Sequence, residues 1–531
     1  MADVFFTVSK YLILLCLVIF TIVSFRAQKD VPDELKTGVF KTQRIMVIAI
    51  HGVAFFDICL NILLGNAQLN IWAILGFYGA QLAYLLIMML FIPRIMRFNQ
   101  GINNVMSMFL AIGFIIQTRL DFSNSVKQFI IVAVGSAVLI FICVIFRKAS
   151  FLKNLTWIYC IAGMALLMLV LVLSTVSRGA KLSLDLGPFS FQPLEFVKIL
   201  FVLFTAGAFY KSVSFKNIIL TAVCAAVHIL IQVFCRDLGS AFILFFIYLL
   251  MLYVATHRFG YVILGSVAFA GAAVIAYKMF SHVRERVTIW LNPWDDINSS
   301  GYQIAQSLFA IGTGGWFGSG LFHGKPEHIP LVSKDMIISA ISEEMGTIFS
   351  IFLIILCLCF TLMIFRAAMR VNNLFYKLIA FGLGVSYIVQ VFLTVGGAFK
   401  FIPLTGVTLP FISSGGSSII ASMAMTGIIQ AVYLLSEADV AMERKMVASG
   451  ADIYEFAGYE DLAEDTDEYD EPYPDVIPEN YRQGLSSIDE HVEEYYSDDN
   501  IPDEYQDEYP EEPVRINRTI KHYNSDDIRY R

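Results

Sequence analysis

The sequence predicts an all-α fold, a polytopic membrane helical bundle, and three observations support this. Hydrophobic residues make up 57% of the 531 residues, Phe occurs 45 times, and charged residues reach only 15%, which lies outside the range of soluble globular domains. Apolar stretches such as residues 45–64, 71–92 and 155–176 are long enough to cross the roughly 30 Å hydrocarbon core of a bilayer. No strand pattern or internal repeat stands out.

Thirteen apolar segments are candidate membrane spans, and the fourth is the shortest. They cover residues 5–25, 45–64, 71–92, 104–118, 129–146, 155–176, 194–210, 218–234, 240–256, 261–280, 336–365, 378–397 and 411–435. The first segment does not have the pattern of a signal peptide, because its positive charges follow the apolar run instead of preceding it.

Basic residues in the connections predict the orientation of the chain, since Lys and Arg favour the cytoplasmic side. With the N-terminus outside, the basic connections and the C-terminal tail lie in the cytoplasm. The loops 177–193, 281–335 and 398–410, which are rich in Gly, Pro and polar residues, then all face outward. A loop as long as 281–335 among mostly short connections is a functional candidate.

The C-terminal tail, residues 437–531, differs in charge from the rest of the chain. It holds 29 acidic and 8 basic residues, a net charge of −21, whereas the remainder carries +13. With no sustained apolar periodicity, this composition predicts a disordered segment. The tail is either a docking segment for a cytoplasmic partner or a solvated extension, and the composition favours the extension.

Ionisable residues enter the predicted spans at two places. Glu195 and Lys198 follow Pro193, a residue suited to a first helical turn, and lie on one helical face. They form either a salt bridge that stabilises packing or part of a wet cavity, and the outward-facing loops favour the cavity. Asp335 precedes the predicted helix 336–365, where an N-cap role is plausible. Capping alone leaves Glu343, near the same face, unexplained.

The last outward loop has a high density of Gly and Ser. Residues 413–418 read Ser-Ser-Gly-Gly-Ser-Ser, which allows close approach of the backbone and offers many hydrogen-bond donors. The pattern suits a phosphate or sugar site, and it equally suits tight helix packing in a membrane.

Five segments, taken together, resemble the RodA/FtsW/SpoVE family, also called SEDS proteins, whose members polymerise peptidoglycan at the bacterial cell surface. The matching segments are Gly179–Lys198, Arg236–Ser240, Asn292–Gly320, Asp335–Gly346 and Pro403–Ser418. Ten spans are typical of the family, so the resemblance implies a SEDS-like core at residues 100–436 and about three extra helices in residues 1–99. Leu182-Ser183 stands where the family usually has Arg-Trp, which marks a divergent member.

The resemblance also implies roles for individual residues. Asp335 matches the family's essential Asp, which closes the large extracellular loop before a helix carrying Glu-Glu-x-Gly, and is the expected catalytic residue. Gln192, Glu195 and Lys198 match an element that lines a central cavity. The other residues expected to bind substrate or line the cavity are Arg178, Lys181, Arg236, Asp237, Gln306, Ser307, Glu343, Ser413, Gly415 and Gly416.

The function that the resemblance implies is an inverting glycosyltransferase that polymerises lipid II at the outer face of the bacterial cytoplasmic membrane, in cell division, elongation or sporulation. Lipid II is a disaccharide-peptide on undecaprenyl pyrophosphate. Asp335 would act as general base, and the leaving pyrophosphate would be neutralised by a divalent cation (Mg²⁺ or Mn²⁺) or by Lys and Arg. The implied partners are a class B penicillin-binding protein and membrane lipids, with no nucleic acid.

Two other functions stay open at the level of sequence. Ionisable residues inside spans would also suit a flippase that moves a lipid-linked precursor across the bilayer. The concentration of polar residues in the outward loops argues against it. The altered Arg-Trp position and the long tail fit a non-catalytic scaffold of the cell-wall synthesis complex.

Overall fold

The computed structural model describes residues 2–28, 33–65, 69–174, 184–186 and 189–448. In this part of the chain, thirteen helices are long and apolar enough to cross a membrane. The fold class and the multi-pass membrane character are therefore confirmed. Most of the predicted disordered tail lies outside the described residues, as do Arg178 and Lys181.

Seventeen α-helices and one short hairpin make up the described fold. The helices are α1 (Ala2–Arg26), α2 (Asp33–Leu63), α3 (Ile71–Leu86), α4 (Ile92–Met96), α5 (Gln100–Leu120), α6 (Phe122–Lys148), α7 (Thr156–Leu173), α8 (Pro193–Lys211), α9 (Phe215–Phe234), α10 (Leu238–Thr256), α11 (Phe259–Met279), α12 (Ser281–Leu291), α13 (Tyr302–Gly314), α14 (Ile337–Met345), α15 (Thr347–Met369), α16 (Leu374–Ala398) and α17 (Gly416–Ala448). A π-helical segment, Ile87–Phe91, joins α3 to α4, so the two form one span.

The fourth span, α5, is the central helix of the bundle and is longer than predicted. It is buried from Gly101 to Thr118, so protein and not lipid surrounds it. Its polar side chains bond to neighbouring helices: Asn104 donates to the Gln43 side chain of α2 at 2.9 Å, and Asn103 donates to the Met88 carbonyl. Such satisfied polar groups are stable inside a membrane protein, although they lower the hydropathy of the segment.

The predicted helix 336–365 is two helices, α14 and α15, separated by Gly346. Gly346 has φ +95°, and a Cβ there would lie 2.5 Å from the Gly318 backbone nitrogen, so only glycine fits. The short α14 is buried along its whole length, and its nine residues are too few to cross a membrane alone. The last helix also differs from its predicted range of 411–435, since α17 runs to Ala448 and makes the start of the acidic tail helical.

A short antiparallel hairpin precedes α8. Its strands are β1 (Leu184–Leu186) and β2 (Phe189–Phe191), with Leu184 opposite Phe191. The Gln192 backbone N–H, directly after β2, donates to the Ser417 hydroxyl at 2.9 Å. The hairpin therefore joins the entrance of α8 to the start of α17.

The N-terminal helices pack directly on the rest of the bundle. Helix α1 packs against α2 and α15, and α2 packs against α5. The division at residue 99 into extra helices and a SEDS-like core stays a prediction.

Candidate active site

A cavity of about 460 Å³ lies where one end of α8, the α9–α10 turn, α12, α13 and two loops meet. This volume is in the range of small-ligand pockets. Six residues predicted from the sequence line it, and they are Gln192, Glu195, Lys198, Arg236, Asp237 and Asp335. Others that the sequence analysis did not single out also line it, among them His282, Glu285, Arg286, Gln303 and Lys334.

Glu195 and Lys198 are both a salt bridge and part of the cavity wall, so the two readings of this pair were not exclusive. Pro193 begins α8 as predicted. One helical turn then brings the Lys198 ammonium within 2.7 Å of the Glu195 carboxylate, and Lys198 also donates to the Gln390 side chain at 2.6 Å. Pairing compensates the cost of placing both charges inside a membrane helix.

Asp237 forms the N-cap of α10 at the wall of the cavity. Its carboxylate accepts hydrogen bonds from the Ser240 backbone N–H at 3.0 Å and from the Ser240 hydroxyl at 2.8 Å. Burial raises the pKa of Asp237, while these hydrogen bonds and the nearby Arg286 lower it. Arg236, one residue earlier, has φ 62°, which turns the chain sharply from α9 into α10.

Asp335 lies on the cavity wall and does not cap α14. The N-cap position is Met336, and no side chain caps this helix end, so the capping interpretation was wrong. The chain before Asp335 is held by the last loop: the Ser414 N–H donates to the Ser333 carbonyl at 2.7 Å, and Gln117 of α5 donates to the same carbonyl at 3.0 Å. Fixed backbone on both sides orients the carboxylate toward the cavity.

Arg286 of α12 faces the two buried carboxylates of the cavity. Burial lowers its pKa, whereas the charges of Asp237, Asp335 and Glu285 raise it. An arginine stays protonated in such surroundings. Its guanidinium also donates to the Leu404 carbonyl at 3.0 Å, which holds α12 against the last loop.

The cavity is balanced in charge instead of being cationic. Four basic side chains (Lys198, Arg236, Arg286 and Lys334) and four carboxylates (Glu195, Asp237, Glu285 and Asp335) line it. Burial and the neighbouring Arg236 and Arg286 lower the pKa of His282, so this imidazole is neutral at pH 7.

Metal ligands are sparse among these groups. In the described part of the chain, no cluster of three or more His, Cys, Asp and Glu side chains could hold a metal ion. A divalent cation here would need oxygen ligands from the substrate as well as protein carboxylates.

Comparison of the sequence with known protein families identifies the family of this chain. The model of the cell cycle protein family FtsW/RodA/SpoVE matches residues 117–437, which is more than half of the chain. The chain belongs to this family.

The matched residues include all those that line the cavity, and individual relatives also cover much of this chain. RodA of Mycobacterium tuberculosis, a peptidoglycan glycosyltransferase, is 34% identical over 322 residues, which is 57% of this chain and 69% of that protein. The stage V sporulation protein E of Bacillus subtilis is 30% identical over 289 residues, covering 52% of this chain and 78% of that protein. A chain of a solved peptidoglycan synthase complex, described as coordinating polymerization and crosslinking, superposes with a TM-score of 0.55 at 25% identity, covering 64% of this chain and 98% of that chain.

Several residues of this FtsW/RodA/SpoVE protein that were predicted to bind substrate lie outside the cavity wall. Ser307 is fully buried and bonds to the Ser339 hydroxyl at 2.6 Å and the Ala398 carbonyl at 2.8 Å. Gln306 does not line the cavity, whereas Gln303 on the same helix does.

The Gly/Ser motif of the last loop also acts through packing. The Ser413 hydroxyl donates to the Lys334 carbonyl and accepts from the Leu409 N–H, so it fixes the chain beside Asp335. Gly415 and Gly416 stay outside the cavity wall, and a Cβ at Gly416 would approach Ile131 to 3.2 Å. The packing interpretation therefore describes these positions better than direct contact with a substrate.

Glu343 and Glu344 secure the long loop instead of lining the cavity. Glu343 accepts a hydrogen bond from the Lys325 backbone N–H at 2.8 Å. Glu344 accepts from the Phe322 N–H at 3.1 Å and from the Arg119 side chain of α5 at 2.9 Å. The predicted role of Glu343 in the cavity was wrong, because its face of α14 is turned to the loop segment 319–328.

Glu344 makes stability depend on pH. Burial raises its pKa from the ordinary 4.5 to about 7, although Arg119 opposes the shift. The native state therefore holds this proton more tightly than the unfolded state, and the free energy of unfolding falls as pH rises from about 4.5 to about 7. We expect Glu344→Gln to flatten the dependence of the thermal unfolding midpoint on pH between about pH 5 and about pH 8.

The matched control is Glu327→Gln, since Glu327 bonds to the same Arg119 but is 58% exposed. It should keep the slope of the parent protein. An unchanged slope in Glu344→Gln would contradict the assignment.

Proposed function

We propose that this protein is a peptidoglycan glycosyltransferase that polymerises lipid II into glycan strands at the outer face of the bacterial cytoplasmic membrane. The observation that carries the proposal is Asp335, a carboxylate held on the wall of a 460 Å³ cavity beside cationic side chains. Family membership and the peptidoglycan glycosyltransferase activity of the relatives support the same conclusion.

Asp335 acts as the general base in this reaction. It takes the proton from an acceptor sugar hydroxyl as that oxygen attacks the anomeric carbon of a second lipid-linked sugar. The bond from the anomeric carbon to the pyrophosphate oxygen breaks, and the pyrophosphate leaves with the electron pair. Attack on the opposite face from the leaving group inverts the anomeric centre.

The negative charge that develops on the pyrophosphate is neutralised by the cations of the cavity. The basic side chains that line the cavity are Lys198, which is paired with Glu195 at 2.7 Å, and Arg236, Arg286 and Lys334. Fixed cations in a buried cavity stabilise developing charge more strongly than the same groups would in water. A divalent cation, Mg²⁺ or Mn²⁺, would add to their positive charge.

The orientation and the partner belong to this proposal as well. The N-terminus and the cavity end of the bundle face outward, where the basic connections predict them to be, and the tail is cytoplasmic. A class B penicillin-binding protein would cross-link the new strand, which agrees with the description of the solved synthase complex.

The test uses the purified full-length protein with labelled lipid II, in the presence and absence of a class B penicillin-binding protein. Glycan strands in either condition are the expected result. Transfer of lipid II across vesicle membranes without strands would replace the proposal with a flippase. If neither strands nor transfer of lipid II is observed, the protein is a scaffold.

A further inference from the structure

The N-terminal helix α1 contacts the long loop next to the active site. The Lys10 ammonium donates to the Gly318 carbonyl at 3.0 Å. On the same helix, the Phe6 ring packs edge-on against the His323 ring, with centroids 5.0 Å apart. Helix α1 lies outside residues 117–437, the part that matches the family, whereas the loop that it contacts lies inside that part.

The segment that α1 contacts is tied to the end of α14 by its backbone. The Ser319 and Gly320 N–H groups donate to the carbonyls of Glu343 and Glu344, each at 2.9 Å. In return, the Thr347 N–H donates to the Gly315 carbonyl at 3.0 Å. The backbones approach so closely that a Cβ at Gly318 would lie 2.3 Å from the Glu344 carbonyl oxygen. Packing this tight transmits displacement instead of absorbing it.

Helix α14 carries the displacement to the catalytic carboxylate. It begins at Ile337, two residues after Asp335, and every residue in it is buried. The hydrogen bonds to segment 315–320 lie at one end of α14, and Asp335 precedes its other end, so the helix connects the two.

We propose that Lys10 is a positioning residue for polymerisation, acting through segment 315–320 and α14 on the placement of Asp335. The inference rests on the proposed function of Asp335 as general base. It gives the extra N-terminal helix a role in activity in addition to membrane anchoring. A displacement of about 1 Å at a reacting group costs up to roughly a hundredfold in rate.

The experiment compares Lys10→Met and Lys10→Arg in the full-length chain, measuring glycan polymerisation over a range of lipid II concentrations. We expect kcat to fall roughly tenfold or more in Lys10→Met with KM nearly unchanged, because binding groups in the cavity remain. Lys10→Arg retains a donor for the Gly318 carbonyl and should recover most of the rate. Lys41→Met, which removes an exposed lysine from α2, is the matched control and should behave like the parent protein.

A second measurement separates this inference from the proposed function. Hydrogen exchange of the α14 amides should speed up in Lys10→Met and not in Lys41→Met. A parental kcat in Lys10→Met, or a loss that Lys10→Arg shares in full, would overturn the positioning role. If the parent protein makes no strands at all, the proposed function fails. In that case, unchanged hydrogen exchange of the α14 amides in Lys10→Met would reject the structural coupling independently.

Discussion

Replacing Asp335 with Asn is expected to abolish polymerisation of lipid II, with kcat reduced by at least about 10²–10⁴-fold. Asn has nearly the shape of Asp but cannot accept the proton of the acceptor hydroxyl. Asp335 is 5% exposed, and the carbonyl of Ser333, two residues before it, accepts a hydrogen bond from the Ser414 N–H. The fold should therefore tolerate this isosteric change. The measurement is the rate of glycan strand formation by reconstituted protein.

Asp295→Asn provides the control for that experiment. Asp295 lies in the same long loop, accepts a hydrogen bond from Asn292 at 2.6 Å and is exposed, and it does not line the cavity. It should keep the parental rate. Strand formation by Asp335→Asn at the rate of Asp295→Asn would end the assignment of Asp335 as general base.

Arg286→Gln should lower kcat/KM by roughly 10²–10³-fold, the second largest effect that we expect. The charge of Arg286 interacts with both Asp237 and Asp335. Its removal takes one positive charge from the leaving pyrophosphate and leaves the four carboxylates of the cavity with three basic side chains. Arg286→Lys keeps the charge but loses the planar fork of donors, so an intermediate rate is expected.

Arg284→Gln is the matched control, because Arg284 lies on the same helix, is exposed and does not line the cavity. Purified Arg286→Gln must also elute as a monodisperse species, as Arg286→Lys should. Equal rates for the Arg284 and Arg286 variants would contradict the electrostatic role of Arg286.

Hydropathy was enough to predict the membrane fold, and its errors have a common physical cause. The scale measures transfer into lipid, so it recognises helices that lipid surrounds. Helix α5 was predicted too short because it contains polar residues, such as Asn103 and Asn104, that are buried against protein and not exposed to lipid. Helix α14 was predicted as part of α15 because apolar composition does not show the break in the helix at Gly346, which has a positive φ.

The site could be predicted only where functional residues follow one another closely in the chain. Glu195 and Lys198 share a helical turn and were predicted to line a cavity from their spacing, whereas Asp335 was singled out by the family resemblance; all three line the cavity. Arg286 was missed because it lies on the amphipathic helix α12, and its importance comes from Asp237 and Asp335, both distant in sequence. The spacing of Gln303 on α13 offered a weak signal, since it lies one turn before Gln306.

Helix α17 extends beyond the thickness of a membrane. Its 33 residues span about 50 Å at 1.5 Å per residue, against a hydrocarbon layer of about 30 Å. Its far portion is braced at the connection between α15 and α16, where the Asn372 N–H donates to Asp439 at 3.3 Å. A force applied at Ala448 would act on this contact and along the continuous helix to Gly416. Gly416 lies beside the loop whose Ser414 N–H binds the Ser333 carbonyl.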